Sequence, residues 1–128
     1  MGVKVLILED NPVARNFLCR VVRESFSDAN LITEAGDLET ARRHVAATQG
    51  KSGAPATEPY KLILVDLELP DGNGMDLLAD PQLVANTEVV LCTGHANLET
   101  SIQALRLGAA DYLVKPVNLK HLQGVLSR

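Results

Sequence analysis

The sequence lacks three features that would assign it to particular classes of protein. It has no excess of basic residues, because its formal net charge is −4, and this argues against direct nucleic-acid binding by this segment. It has no apolar run as long as a membrane span and no signal-peptide pattern at its start, so we predict a cytoplasmic protein without membrane contact. Its only two cysteines, Cys19 and Cys92, have no metal-ligand spacing. We predict that both are small buried hydrophobes in a reducing compartment.

What the sequence does contain is a regular alternation of apolar strands and amphipathic helices. Its 128 residues suit one domain with a substantial core. The predicted strands are residues 3–8, 30–35, 61–66, 88–92 and 112–114. The predicted helices run over residues 12 to about 26, 38–48, 75 to about 79, 97–107 and 118–126. Five strands alternating with five helices predict an α/β fold, with a parallel sheet covered by helices on both faces.

Helical periodicity also predicts which side chains face the core. The second helix should turn Leu38, Ala41 and Val45 inward, and the fourth should do the same with Leu98, Ile102 and Leu105. Between the second helix and the third strand, residues 49–59 are rich in Gly, Ser, Ala and Pro, which is typical of a flexible surface loop.

Polar residues stand at the carboxyl ends of four of the five predicted strands. They are Glu9 and Asp10 directly after the first strand, Asp66 as the last residue of the third, Thr93 directly after the fourth and Lys115 directly after the fifth. Because the carboxyl ends of parallel strands lie at one edge of the sheet, these side chains should converge there. Three crowded carboxylates repel one another unless a cation lies among them, and oxygen ligands of this kind suit Mg²⁺. An Asp carboxylate can also act as a nucleophile and form an aspartyl phosphate.

These motifs together resemble the receiver domain of bacterial two-component response regulators over nearly all 128 residues. The resemblance rests on the acidic pair Glu9–Asp10, on Asp66 with Pro70 and Gly74 behind it, and on three further positions. Those positions are Thr93, Tyr112 and the dipeptide Lys115–Pro116. The resemblance implies a flavodoxin-like, doubly wound (βα)5 sheet with strand order 2-1-3-4-5. It also implies a regulatory phosphoacceptor that is not an enzyme beyond its own phosphotransfer and dephosphorylation.

The resemblance further implies a role for each site residue. Asp66 would accept a phosphoryl group from a sensor histidine kinase. Asp10 and Asp66 would ligate Mg²⁺ directly, the backbone carbonyl of Glu68 would be a third protein ligand, and Glu9 would act through water. Thr93 and Lys115 would contact the phosphoryl group, and the Lys115–Pro116 peptide would be cis. Thr93 would move toward the phosphoryl group and Tyr112 would swing inward from a more exposed rotamer. These movements would switch the surface around the fourth helix and the fifth strand.

The second half is most similar to receivers of the NtrC-like branch of regulators, through residues 66–75, 93–100 and 104–116. That branch joins a receiver to an ATPase that acts on sigma-54 RNA polymerase and to a DNA-binding domain. We therefore expect residues 1–128 to be one receiver domain from the N-terminal part of a longer regulator. Its partners would be the kinase and its own output domain beyond residue 128, and a homodimer is a further partner that the sequence allows.

Two other functions are compatible with part of this pattern. A receiver that docks without phosphorylation would normally lack Asp66 or the acidic pair, and both are present. An aspartyl-nucleophile phosphatase would use Asp66 with Glu68 as its acid, but such enzymes place the nucleophile on the first strand of a longer chain. Glu68 and His95 lie two residues beyond Asp66 and Thr93, at positions where the family tunes the lifetime of the phosphate.

Overall fold

The computed structural model describes residues 3–25, 31–95, 97–118, 120, 121 and 124. Its strands are β1 (Lys4–Leu8), β2 (Leu31–Ala35), β3 (Leu62–Asp66), β4 (Glu68–Leu69), β5 (Gly72–Asn73), β6 (Glu88–Thr93) and β7 (Asp111–Val114). Its α-helices are α1 (Pro12–Ser25), α2 (Leu38–Thr48), α3 (Pro81–Asn86) and α4 (Leu98–Arg106), and a 3-10 helix spans Gly74–Ala79. The last predicted helix, residues 118–126, falls mostly outside the described residues.

The main sheet has five parallel strands in the order β2-β1-β3-β6-β7. Counting only the long strands, this is the predicted order 2-1-3-4-5 of a flavodoxin-like fold, and the prediction is confirmed. The central strand β3 is buried over its whole length, as expected of a parallel strand with helices on both sides. The carboxyl ends of β1, β3 and β6 therefore meet at the middle of one sheet edge.

Alternate residues of the central strands feed two separate cores. Leu6 and Ile63 point to the face covered by α2, the 3-10 helix, α3 and α4. Val5 and Leu64 point to the face covered by α1. Both cysteines are buried in this second core, as predicted, and burial raises the pKa of the Cys92 thiol to about 12. Because the sheet is doubly wound, each helix covers only one of its two faces.

Local signals explain where the helices begin. Asn11 accepts hydrogen bonds from the amides of Val13 and Ala14, at 2.9 and 3.1 Å. Asp37 accepts from Thr40 N at 2.7 Å, and Asn97 accepts from Thr100 N at 3.1 Å. These contacts satisfy backbone donors that a helix leaves free in its first turn.

The prediction for the inward face of α4 is wrong. Leu98, Ile102 and Leu105 are 77%, 43% and 52% exposed, whereas Ala104 is fully buried. The periodicity identifies side chains that share a face, but the helix is rotated so that its small residue approaches the sheet. Its bulky apolar stripe lies outside. Helix α1 shows a milder form of the same effect, since Val13 and Phe17 are exposed while Leu18, Cys19, Val21 and Val22 are buried.

Residues 50–59 are exposed, as predicted, and they precede β3 at the amino edge of the sheet, away from Asp66. The loop is nevertheless anchored at its ends. Thr57 N donates to Thr48 O at 2.9 Å, and Lys4 Nζ donates to Glu58 O at 2.7 Å. None of the helices in the described part of the chain is long and apolar enough to cross a membrane.

Candidate functional site

Three carboxylates converge at the carboxyl edge of the sheet, as predicted. Glu9 and Asp10 follow β1, and Asp66 is the last residue of β3. One oxygen from each carboxylate lies within 4.8 Å of the others. Glu9 and Asp66 are buried, whereas Asp10 is exposed, so the cluster opens to solvent on the Asp10 side.

Lys115 joins this cluster from the end of β7. Its ammonium donates to Asp66 Oδ2 at 3.1 Å and also to Glu9 Oε1. The backbone amide of Lys115 donates to Thr93 O at 2.7 Å, which fixes the loop that carries the lysine. The Lys115–Pro116 peptide is cis, so that prediction is confirmed.

Burial and charge act on these groups in opposite directions. Burial raises the pKa of the Glu9 carboxyl, the Lys115 ammonium lowers it and Asp66 raises it, and the result lies above its ordinary value. Partial burial lowers the pKa of Lys115, but the hydrogen bonds to Glu9 and Asp66 raise it above its ordinary value. Lys115 is therefore held as a cation beside Asp66 at neutral pH.

Asp66 is held by the chain that follows it as well as by Lys115. Its Oδ1 accepts from the backbone amide of Glu68 at 3.1 Å. Each carboxylate oxygen thus accepts one hydrogen bond, from Glu68 N or from Lys115 Nζ, and retains a lone pair for a further partner. Gly74 lies against the same residue, since a Cβ built on it would come within 2.3 Å of Asp66 O. Only glycine permits this approach, which explains the glycine eight residues after the aspartate.

Thr93 ends the strand next to Asp66. Its neighbour Cys92 is paired in register with Asp66, so Thr93 lies one residue beyond the aspartate at the same edge. The Thr93 hydroxyl is engaged with its own loop, accepting from His95 N at 3.1 Å and donating to His95 O at 3.2 Å. A new acceptor near Asp66 would have to compete with this turn for the hydroxyl.

Tyr112 lies on β7, where it pairs with Leu91 of β6. The residue is partly buried, and its hydroxyl is buried without a hydrogen-bond partner among the described residues. The ring therefore points inward in this structure, whereas the switch hypothesis starts from a more exposed rotamer. A buried hydroxyl without a partner gains hydrogen bonds when it turns out to water. We therefore expect the Tyr112 side chain to occupy both a buried and an exposed position.

Two residues of the site region escaped the sequence interpretation. Arg15 donates through Nη1 to Glu9 O at 2.9 Å and through Nε to Glu34 at 3.1 Å. An arginine in the first turn of a helix is unfavourable for the helix dipole. This was the feature of the sequence that could have indicated a tertiary contact for Arg15. Asp71 accepts from two amides of α2, whereas the neighbouring Pro70 and Gly72 are typical of a turn and do not indicate this contact.

The donor set fits a hard divalent cation. The ligands are carboxylate oxygens, one of them exposed, and a single ammonium contacts two of the three carboxylates. The remaining negative charge and the opening at Asp10 suit an ion such as Mg²⁺, which keeps part of its water shell.

The family follows from comparison with known proteins. The family model of the response regulator receiver domain matches residues 5–127. The chain belongs to this family. Receiver domains are regulatory parts of two-component response regulators, and the fold and the edge cluster described above agree with that assignment.

The curated relatives of this receiver domain are longer proteins. It is 34% identical to the transcriptional regulatory protein CitB of Klebsiella pneumoniae, covering 99% of this chain and 50% of the relative. It is also 34% identical to the response regulator protein PilR of Pseudomonas aeruginosa, covering 97% of this chain and 25% of the relative. The chain thus spans half or less of the length of these relatives, and equal identity accompanies very different lengths of additional chain.

Solved structures agree with the fold. A response regulator protein from Burkholderia pseudomallei, with a phosphorylated aspartic acid, calcium ion and citrate, matches with a TM-score of 0.75 and 27% identity. The match covers 98% of this receiver and 66% of that chain. The receiver domain of a DNA-binding response regulator from Colwellia psychrerythraea matches with a TM-score of 0.80 at 20% identity, which concerns the fold alone.

Proposed function

We propose that this receiver is a phosphoacceptor in a two-component system, with Asp66 taking a phosphoryl group from a sensor histidine kinase in the cytoplasm. The observation that carries the proposal is the Asp66 carboxylate at the sheet edge, 3.1 Å from the Lys115 ammonium and grouped with Glu9 and Asp10. A buried aspartate that served only the fold would not need a second and a third carboxylate beside it.

The chemistry follows from the contacts of Asp66. A carboxylate oxygen attacks the phosphorus of a phosphohistidine, the P–O bond forms as the P–N bond breaks, and the imidazole leaves with the bonding electrons. Lys115 already touches Oδ2, so its positive charge lies where charge develops on the transferred group. Asp10, Asp66 and the carbonyl of Glu68 would hold Mg²⁺, with Glu9 acting through water. The ion would supply the rest of the charge neutralisation.

The output would be a change of surface. A phosphoryl oxygen that bonds the Thr93 hydroxyl must draw it from the turn that it makes with His95. The loop would move with it, and both α4 and Tyr112 on β7 lie along that path. The exposed apolar stripe of α4 supports this reading, because a surface of this kind marks an interaction site.

The remaining chain would determine what this surface controls. We propose that residues 1–128 are the receiver of a longer regulator whose output is an ATPase and a DNA-binding domain acting in sigma-54-dependent transcription. The similarity of residues 66–75, 93–100 and 104–116 to the NtrC-like branch supports this output, and a homodimer is compatible with it.

Labelling with acetyl phosphate and with a cognate kinase tests the proposal. We expect Mg²⁺-dependent, acid-stable and base-labile label that is lost in Asp66→Asn. A matched control is Asp80→Asn, which changes an aspartate outside the acidic cluster. Asparagine can still cap α3 at this position. Asp10→Asn should weaken Mg²⁺ binding sharply.

Unchanged label in Asp66→Asn would disprove the assignment of the acceptor. If the wild-type protein takes no phosphoryl label but still binds its partners, it is instead a receiver that docks without phosphorylation.

A further inference from the structure

The chain that follows Asp66 forms a very small hairpin. Strands β4 and β5 pair only through Glu68 with Asn73 and Leu69 with Gly72. An isolated two-stranded hairpin is at best marginally stable in water. Contacts outside the hairpin must therefore fix its position, and with it the position of the Glu68 carbonyl.

One set of contacts holds the base of the hairpin. Gly74 N donates to Leu67 O at 2.9 Å, and Glu68 N donates to Asp66 Oδ1 at 3.1 Å. These bonds tie the hairpin to the end of β3. They do not reach its tip, at Pro70 and Asp71.

A second set of contacts holds the tip. The Asp71 carboxylate accepts from Leu38 N at 2.8 Å through Oδ1 and from Glu39 N at 3.0 Å through Oδ2. These amides are free donors in the first turn of α2, at the positive end of its dipole. The helix has its own local cap in Asp37, whereas Asp71 comes from 33 residues away. The Asp71 bonds are thus a tertiary link, and charge-assisted bonds are the stronger kind.

The end of β2, which leads into α2, contacts the other half of the acidic cluster. Glu9 N donates to Ala35 O at 3.0 Å, immediately before the helix. The Leu38 side chain lies under the hairpin, since a Cβ built on Gly72 would come within 2.7 Å of it. Residues 35–39 therefore contact both the segment that carries Glu9 and Asp10 and the hairpin that carries Glu68.

We propose that Asp71 is a positioning residue for the cation and phosphoryl site. By clamping the hairpin tip to the first turn of α2, it sets the Glu68 carbonyl at a constant distance from the acidic pair. This inference rests on the proposed function, because it takes the Glu68 carbonyl as a ligand of Mg²⁺. Asp71 itself touches neither the cation nor the phosphoryl group.

The test compares two variants that each remove a carboxylate from the start of the same helix. Asp71→Ala removes the link to the hairpin, and Asp37→Ala removes only the local cap. By calorimetric titration we expect Asp71→Ala to bind Mg²⁺ about tenfold more weakly, the usual loss when a supporting group of a metal site is removed. Asp37→Ala should retain the wild-type affinity. In labelling with acetyl phosphate, excess Mg²⁺ should restore the maximal rate of Asp71→Ala.

Amide hydrogen exchange without metal gives a second readout. In Asp71→Ala the amides of Glu68 and Gly74 should exchange faster, whereas in Asp37→Ala only the first turn of α2 should do so. Asp71→Asn keeps the shape and one acceptor oxygen, and should fall between the wild type and Asp71→Ala in both measurements.

The outcomes separate this inference from the proposed function. If the wild type binds Mg²⁺ and Asp71→Ala binds it equally well, the positioning role is wrong and the proposed function stands. If Asp37→Ala weakens Mg²⁺ binding as much as Asp71→Ala does, stability of α2 is the cause and the clamp is again wrong. If the wild type binds no Mg²⁺, the proposed function fails and the inference fails with it.

Discussion

Helices α2 and α4 are alike in sequence but opposite in how they use their apolar residues. Each begins with an Asx cap and has an acidic residue in its first turn. In α2, Leu38, Ala41 and Val45 are at most 5% exposed. In α4, the corresponding apolar stripe faces outward, and Leu98 is 77% exposed. The same periodicity thus places apolar side chains in the core in α2 and on the exposed surface in α4.

The difference lies in what surrounds each helix. Helix α2 lies against β1, β2 and the 3-10 helix, and the hairpin tip binds its first turn. Helix α4 lies against β7 and approaches the sheet through Ala104, which is fully buried. Leu107 and Val114 add to the exposed apolar area near it. Exposed apolar side chains grouped in this way are suited to recognition rather than to the core.

The largest expected effect comes from one substitution made in both helices. Leu38 and Leu98 each follow directly on the cap residue, so Leu38→Ala and Leu98→Ala change the same residue at the same helical position. Leu38→Ala should lower the free energy of unfolding by about 3 kcal/mol because it opens a cavity. Leu98→Ala should change it by less than about 0.5 kcal/mol. Urea unfolding measures both, and similar losses would show that α4 is covered in solution.

A smaller effect tests how α4 approaches the sheet. Ala104→Leu inserts three carbon atoms at a fully buried position, and overpacking of this kind costs about 2 kcal/mol. Gln103→Leu adds a leucine to the neighbouring exposed position and should cost little. The difference in urea midpoint between the two variants checks the rotation of the helix. Equal stability would mean that α4 can turn freely on the sheet.

The smallest expected effect is the functional one. Beryllofluoride, a mimic of the phosphoryl group, should change amide exchange at Gly94, in residues 97–108 and near Tyr112, by roughly fivefold or about 1 kcal/mol. Exchange in α2 should stay constant, because its first turn is held from two sides. Thr93→Ala should mute the change, since the phosphoryl group must bond Thr93 better in one state to shift the equilibrium. If amide exchange changed in α2 and stayed constant in α4, the proposed switch would be ruled out.

The site was predictable to the extent that it depends on strand ends. An apolar run that stops at Asp66, another that stops at Glu9 and Asp10, and a lysine after the last strand predict a cluster as soon as the strands are parallel. The contacts of Lys115 with Glu9 and Asp66 agree with that expectation. Asp71 was missed because its partners are backbone amides, which leave no pattern in the sequence. Arg15 was missed because it contacts one backbone carbonyl and a side chain, Glu34, that lies 19 residues away along the chain.

The sequence by itself determined the alternation of strands and helices, the helix starts at Asn11, Asp37 and Asn97, and the residues delivered to the sheet edge. These depend on local periodicity, capping and turn chemistry, which act over a few residues. The tertiary structure alone decided that α4 turns its leucines outward and that Asp71 reaches the first turn of α2. Both outcomes depend on the rotation and distance of elements remote in the chain, and those are determined by packing against a shared sheet.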